Sequence, residues 1–361
     1  MPQRRPARPV LSGPRLQPAV EDLSDSFQKH SGFARVRHFV TLGLLLGAIT
    51  GAFAADECRH RGDLDAPYCD ADRDLVADPP ADRRRWRAPH TIAFTYTPIE
   101  EPTLYERLLR PLTAHLSQCV GRRVVYFPVQ SNAAQIEAMR SGRVQVAWFS
   151  TGPTAFAVNI AGAVPFAVKG DAQGAQGYKL MLIVRKDSAF QKPGDLKGQR
   201  VAHTSPTSNS GNLAPRALFP AQGLVPGDDY RIVYSGKHDH SILGVVRGEY
   251  DAAAVASDVL QRMQRRGQLR GTELRVLYES APFPTEAVAY AHDLEPALRD
   301  KLLKCFYDYR FADDMRREFQ QADRFVPVRY QRDWAIVRQV AEGVGERFDR
   351  KAYDSAARPA K

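Results

Sequence analysis

From about Thr91 onward the chain alternates short strand-like apolar runs with amphipathic segments of helical period, and this grammar admits an α/β architecture and little else. Ile92-Ala-Phe94-Thr-Tyr96 reads as a strand. A helix starts near Thr103, carries Leu104, Leu108, Leu112 and Leu116 on one stripe, is kinked by Pro111 and stops at Gly121. Val124 to Phe127 is the next strand; Ser131 or Asn132 caps a helix through Arg140 that Gly142 ends, and Val144 to Phe149 is a third strand. The pattern resumes with strands at Leu180 to Val184, around Val201 to His203, Tyr230 to Tyr234, Asp251 to Val255, Leu274 to Tyr278 and Ala287 to Ala291. Helices are expected over Ser241 to Arg247, Ser257 to Arg266, Pro296 to Tyr309 and after Tyr330. With 361 residues, 43% of them hydrophobic, the chain suits one large two-lobed α/β unit, each lobe a mostly parallel sheet flanked by helices.

The N-terminus has a different character. Arg35-Val-Arg37-His38, the apolar run Phe39 to Phe53 and the small-residue stretch ending at Ala54 form the n-region, h-region and cleavage site of an export signal. The run is shorter than the ~20 residues a membrane-spanning helix needs. Export places the four cysteines in an oxidising compartment, so two disulfides are expected, Cys58 with Cys69 foremost and Cys119 with Cys305 as the remaining pair or as buried thiols. Of the net charge of +10, seven basic and three acidic residues put +4 in the first 54 residues. The mild bias left in the rest gives no argument for a nucleic-acid partner.

Residues 55–90 are rich in Asp, Arg and Pro and read as a coreless appendage. Within it, Asp70, Asp72, Asp74 and Asp78 take the alternate spacing of a calcium loop, although Leu75 stands where such loops want glycine and Ala81 where they close with a glutamate. A structural calcium ion is the one cofactor this segment suggests; no other is required.

Three strand-to-helix turns carry the functional signal. Ser205-Pro-Thr-Ser208-Asn209-Ser210-Gly211 combines unpaired helix-start N–H groups with hydroxyl and amide donors, which together make an anion socket. Ser235-Gly-Lys237-His238-Asp239 and Ala256-Ser257-Asp258 fall at equivalent strand ends, where ligands of open α/β sheets collect.

Four stretches, Pro128 to Gly142, Ser205 to Gly211, Ser235 to Asp239 and Gly248 to Ala254, resemble in order the phosphate, phosphite and phosphonate substrate-binding proteins of ABC transporters, a branch of the type II periplasmic binding fold. The resemblance covers about residues 92 to 330. It implies a first lobe over 91–182 and 283–361, a second over 183–282 and hinge strands between them. It gives Ser208, Asn209, Ser210 and Gly211 the phosphonyl oxygens and His238 a donor role, with Asp258 or Glu286 placed to hold an amine. Asn132 and Phe156 stand where family members often carry tyrosines; Thr151 is a compensating hydroxyl, and Tyr96 ends the first strand where it would line the cleft. The implied protein is periplasmic and not an enzyme, takes a small phosphorus oxyanion and hands it to an ABC permease. Two rival readings remain open at this point: a ligand-sensing module for a membrane kinase, and an exported hydrolase using Ser208 or Ser210 with His238 and Asp258.

Overall fold

The computed structural model describes residues 58–101, 103–269 and 274–357, so the expected export signal lies outside the described residues. The first half builds β1 (Thr91–Tyr96), α1 (Thr103–Leu108), α2 (Arg110–Val120), β2 (Arg123–Tyr126), α3 (Asn132–Arg140), β3 (Val146–Phe149), α4 (Thr151–Ala161), β4 (Ala163–Asp171), β5 (Gly174–Ala175) and β6 (Gly177–Tyr178). The middle builds β7 (Leu180–Arg185), β8 (Arg200–His203), α5 (Ala214–Leu218), β9 (Arg231–Tyr234), α6 (His238–Val246), β10 (Ala252–Ala256), α7 (Ser257–Arg265) and β11 (Leu274–Glu279). The chain closes with β12 (Phe283–Pro284), β13 (Ala287–Ala291), α8 (Pro296–Asp308), α9 (Asp313–Glu318), β14 (Arg324–Pro327), α10 (Tyr330–Asp333), α11 (Ala335–Glu342) and α12 (Arg350–Ala357).

Two sheets organise these elements. The first runs β14-β4-β13-β3-β1-β2 with β5 hydrogen-bonded to β4, and the second runs β11-β7-β10-β8-β9. Parallel pairing is confined to the core of each, β2 with β1 and β1 with β3 in one, β9 with β8 and β8 with β10 in the other. The remaining strands pair antiparallel, so the sheets are mixed rather than mostly parallel. The cause is topological: β7 and β13, the strands that follow the two crossings between the sheets, run against the parallel cores, and β4 and β11 pair antiparallel with them. The short antiparallel ribbon of β6 with β12 marks those crossings side by side. Since β7 lies wholly in the second sheet, the first crossing precedes residue 182.

Two elements of the first lobe depart from the sequence pattern. Helix α4 is buried along its entire length, so it has no polar stripe for periodicity to reveal. Strand β4 contains Pro165, which sits where its register with β13 shifts between Val288 and Ala289, the position at which a sheet tolerates proline. The kink expected at Pro111 is a break at Leu109 between α1 and α2.

The appendage has more core than its composition suggests. Leu64, Tyr68, Val76 and Ala77 are buried, Tyr68 stands edge-on to His292 at 4.9 Å, and the Asp65 N–H donates to the Asn159 carbonyl at 2.7 Å. These contacts tie the segment to the first lobe, and the Cys58–Cys69 disulfide closes it locally. The second disulfide, Cys119 to Cys305, joins α2 to α8 across 186 residues of chain. Closing so long a loop removes far more unfolded-state freedom than a local bridge does, an effect of about 3–5 kcal/mol. Replacing Cys119 and Cys305 together by serine therefore lowers the unfolding free energy by about 2–5 kcal/mol in urea titrations. An unchanged midpoint would remove the bridge from the stability account.

Candidate functional site

Strand β8 ends in His203, and the chain turns through Thr204 to Ser208 into a single π-helical turn, Asn209–Leu213, that continues as α5. Such turns recur at functional sites because they splay N–H groups away from the regular ladder. Ser208 caps this one: its Oγ accepts from the Gly211 N–H at 3.1 Å, which leaves its own O–H free to donate. A Cβ on Gly211 would lie 1.9 Å from Thr204 Oγ1, so the turn closes this tightly only with glycine. Behind it, Asn212 donates to the Pro206 carbonyl at 2.7 Å, which orients its Oδ1 toward His203 Nδ1 at 2.9 Å; His203 Nε2 in turn meets Tyr230 Oη at 2.8 Å. Burial pushes His203 down to about 4, so it serves as a neutral brace.

The second turn places His238 at the start of α6 with no side-chain cap. Its Nδ1 accepts from the Ala256 N–H at 3.2 Å, which fixes the tautomer and makes Nε2 the donor. Burial pushes its pKa down to about 4 despite the nearby Asp258 carboxylate, so the imidazole is neutral near pH 7. The third turn delivers Asp258 at the start of α7. Burial alone would raise this carboxyl; Arg262 and Lys169 outweigh it and hold the group below the usual carboxylate range.

The first lobe supplies the facing wall. Asn132 opens α3, accepts from Thr97 Oγ1 and donates to Ser205 Oγ across the cleft, both at 3.3 Å. Ser150 precedes α4 without capping it, and Thr151 donates to the Pro284 carbonyl at 2.9 Å. The lobes are in close contact: the His238 N–H donates to the Ile99 carbonyl at 3.2 Å, Lys237 pairs with Glu101, and a Cβ on Gly152 would lie 2.2 Å from the Thr207 carbonyl oxygen. The cleft is closed in this structure.

Between the walls lies a pocket lined from the second lobe by Thr204, Ser208, Asn209, Ser210, His238 and Asp258, and from the first by Asn132 and Thr151. With Glu286, which also lines it, eight of the eleven residues singled out from sequence thus come together. Three do not. Tyr96 is buried in an aromatic cluster with Tyr105 at 4.3 Å and Trp148 at 5.1 Å, because the last residue of β1 points into the core. Phe156 packs against Phe348 at 5.0 Å on the C-terminal side of the lobe, one and a half turns along α4 from the cleft. Gly211 stands behind Ser208 and spends its N–H there.

Sequence reasoning missed Tyr178, in the hinge ribbon, whose hydroxyl accepts from Asn209 Nδ2 at 3.1 Å and whose O–H remains free to donate. It also missed the buried Lys169, which pairs with Glu286 and lies 3.7 Å from Asp258, and Arg262, which binds Asp258 at 2.9 Å and Glu100 at 3.0 Å. Lys and Arg with no exposed surface are rare unless paired, and nothing in a linear pattern separates these two from surface charge.

A Ser-His-Asp relay is not assembled. His238 Nδ1, which such a relay would direct at Asp258, is occupied by the Ala256 N–H, and Asp258 Oδ2 is held by Arg262. In the appendage, Asp70, Asp72 and Asp74 bring ligand atoms within 4.8 Å of one another. Asp78 turns away to accept from the Ala71 N–H, and both Asp70 oxygens accept backbone N–H groups, from Asp74 at 2.9 Å and Leu75 at 3.2 Å.

Comparison with known proteins agrees with the geometry. The chain is 27% identical over 203 residues to the phosphonates-binding periplasmic protein of Escherichia coli, covering 55% of this chain and 60% of that one. It is 29% identical over 231 residues to the phosphate-import protein PhnD of Mycolicibacterium smegmatis, covering 60% and 71%. It therefore spans three-fifths to about seven-tenths of these relatives' lengths. Two solved structures share the fold: a binding-protein component of an ABC phosphonate transporter from Pseudomonas aeruginosa, at TM-score 0.63, 24% identity and coverage of 69% and 85%, and PhnD1 from Prochlorococcus marinus in complex with methylphosphonate, at 0.64, 17%, 72% and 100%. With its residues 94–334 matched by the profile described as "ABC transporter, phosphonate, periplasmic substrate-binding protein", the chain belongs to that family.

Proposed function

We propose that this protein captures a small phosphorus oxyanion (phosphonate, phosphite or phosphate) between its lobes and presents the closed form to the permease of an ABC importer. The observation that carries the reading is the composition of the pocket. Hydroxyls of Ser208, Ser210, Thr204 and Tyr178, the His238 Nε2–H and the starts of α3, α4, α6 and the Asn209 turn converge on one space. Neutral donors at helix starts stabilise an anion without a counter-ion. The one cation among the lining residues, Lys237, is engaged by Glu101.

Both lobes contribute donors, so closure gains contacts that the open form lacks, which is what couples ligand to conformation. The export signal ending near Ala54 and the family's character support a periplasmic location. Among the described residues no helix is long and apolar enough to cross a membrane. Capture without turnover suits a site whose serines are donors and whose histidine is neutral and not backed by a carboxylate.

Replacing Ser208 or Ser210 by alanine removes a hydrogen bond to a charged group and weakens binding by about 1.5–3 kcal/mol, roughly 10- to 150-fold, in calorimetric titrations with phosphite, phosphate and methylphosphonate. Unchanged affinity in both variants would displace the socket from these residues. Gly152→Ala tests closure itself. Its methyl would meet the Thr207 carbonyl oxygen at 2.2 Å and the Asn209 N–H nitrogen at 2.9 Å, both backbone atoms of the opposite lobe that cannot yield. Affinity falls at least ~10-fold while the melting temperature of the ligand-free protein holds, because alanine favours the helix; full affinity would show that α4 and the turn do not meet in the bound form.

Acid also acts through the site. His238 and His203 have folded pKa values depressed from the usual 6.5 to about 4, so the unfolded chain binds more protons between those values. Their contribution to stability is present above about 6.5 and is lost as the pH falls toward about 4. Urea midpoints drop across that window in the parent, and drop less in His238→Gln; a flat parent profile would contradict neutral, buried imidazoles.

A further inference from the structure

Another cavity lies away from the cleft. It measures ≈ 430 Å³, within the range of small-molecule sites, and is walled by the appendage, by α4 and by the segment from α11 toward α12. Of these walls only α4 falls within residues 94–334 that the family profile matches. Helix α4 is buried throughout, and its Thr151 and Thr154 spend their hydroxyls on the carbonyls of Pro284 and Ser150. Asn159 differs. It is 7% exposed and lines the cavity, and among the described residues neither end of its side-chain amide meets a partner. A buried amide without hydrogen bonds is unfavourable, and the cavity is the one direction from which this amide can gain them.

The other walls narrow what the cavity can take. Leu64, Leu75 and Phe348 form an apolar side. Leu75 is held there at φ 71°, a conformation better suited to glycine, by a loop in which both Asp70 oxygens accept backbone N–H groups. Charge is balanced: Asp63 pairs with Arg347 and Glu346 lies 3.9 Å from Arg216, which leaves Arg61 and Arg338 against Asp70 and Glu342. Arg338 spends both Nη atoms on the carbonyls of Tyr330 and Gln331, as Asp70 spends its oxygens on Asp74 and Leu75. Arg61 spends its Nε on the Tyr68 carbonyl at 3.0 Å. Among the described residues its Nη atoms and the Glu342 carboxylate stay open.

We propose that this cavity is a second ligand site, for a small zwitterion with an apolar body, of the class of the free apolar amino acids. A net ion meets no excess of counter-charge in these walls. A zwitterion meets one open group of each sign: Arg61 for its carboxylate and Glu342 for its ammonium, with Leu64, Leu75 and Phe348 for its apolar body. The Asn159 amide can donate to the first or accept from the second. The cavity shares no lining residue with the interlobe pocket, so both can be filled at once.

Calorimetry of the mature protein with leucine, methionine and phenylalanine, with and without saturating methylphosphonate, tests this. At least one of the three binds at one site per chain under both conditions. Its two half-analogues, the amine without the carboxylate and the acid without the ammonium, bind at least ~10-fold more weakly. Asn159→Leu weakens the amino acid at least ~10-fold and leaves methylphosphonate affinity within about twofold. The melting temperature of that variant without ligand holds or rises, because an unpaired amide has given way to an apolar group. Four results would each overturn the second site: no saturable binding of any of the three; half-analogues that bind as well as the amino acid; competition with methylphosphonate, which would place the amino acid in the cleft; or a lower melting temperature of Asn159→Leu, which would show the amide already satisfied within the fold. A protein that takes the amino acid and no phosphorus oxyanion loses the interlobe reading and keeps this one.

Discussion

An anion moved out of water needs its hydration shell replaced, donor for donor, and that requirement orders the whole binding cleft. The starts of four helical segments border one space from two lobes, α4 and α6 without a side-chain cap, and short hydroxyl side chains stand where water would otherwise be. Each segment follows a strand or a short loop after one, so the parallel cores of both sheets are what point them inward. The glycines at 152 and 211 serve the same end, since at both positions a methyl group would occupy space held by the opposite lobe or by the turn itself.

Beneath the pocket a buried charge network crosses between the lobes. Arg262 and Asp258 on α7 meet Glu100 and Lys169 from the first lobe, Lys169 meets Glu286, and Arg266 joins Glu100 to Glu318. Such networks contribute little net stability, because desolvation consumes most of the Coulombic gain, but they are unforgiving of misplacement. Here the network holds two carboxylates, Asp258 and Glu286, at the edge of the pocket, each paired with a buried cation. The C-terminal helices brace the same region from outside, with Trp334 Nε1 donating to the Thr151 carbonyl at 2.9 Å and so anchoring the start of α4.

Much of this was legible in the chain. Alternation of strand and helix signals located most elements of both sheets, and the Ser208 turn, His238 and Asp258 stood out because strand ends followed by polar helix starts carry a physical meaning. Export and an even cysteine count point to the Cys58–Cys69 bridge, and leave Cys119 and Cys305 open between the second bridge that the structure shows and buried thiols. What escaped had specific causes. Helix α4 is buried on every side and so has no amphipathic period. Strand β4 hides behind Pro165 and the buried Lys169. Tyr96 is expected at the cleft from its place at a strand end and Phe156 from the family resemblance, whereas the direction of a strand's last side chain and of a helix's second turn sends both into the core. The partners of Asp258 and Glu286 come from distant parts of the chain, and linear spacing carries no record of them.

The central claim is that the closed cleft is an oxyanion receptor built from neutral donors. Calorimetric titration of the mature protein with phosphite, phosphate and methylphosphonate, repeated at low and high sodium chloride, tests it most directly. The account predicts one ligand per chain for at least one of the three, with an affinity that changes less than about threefold with salt, because the contacts are short-range and shielded from solvent. Absence of heat with all three, or binding that collapses with salt as surface ion pairing does, would contradict it.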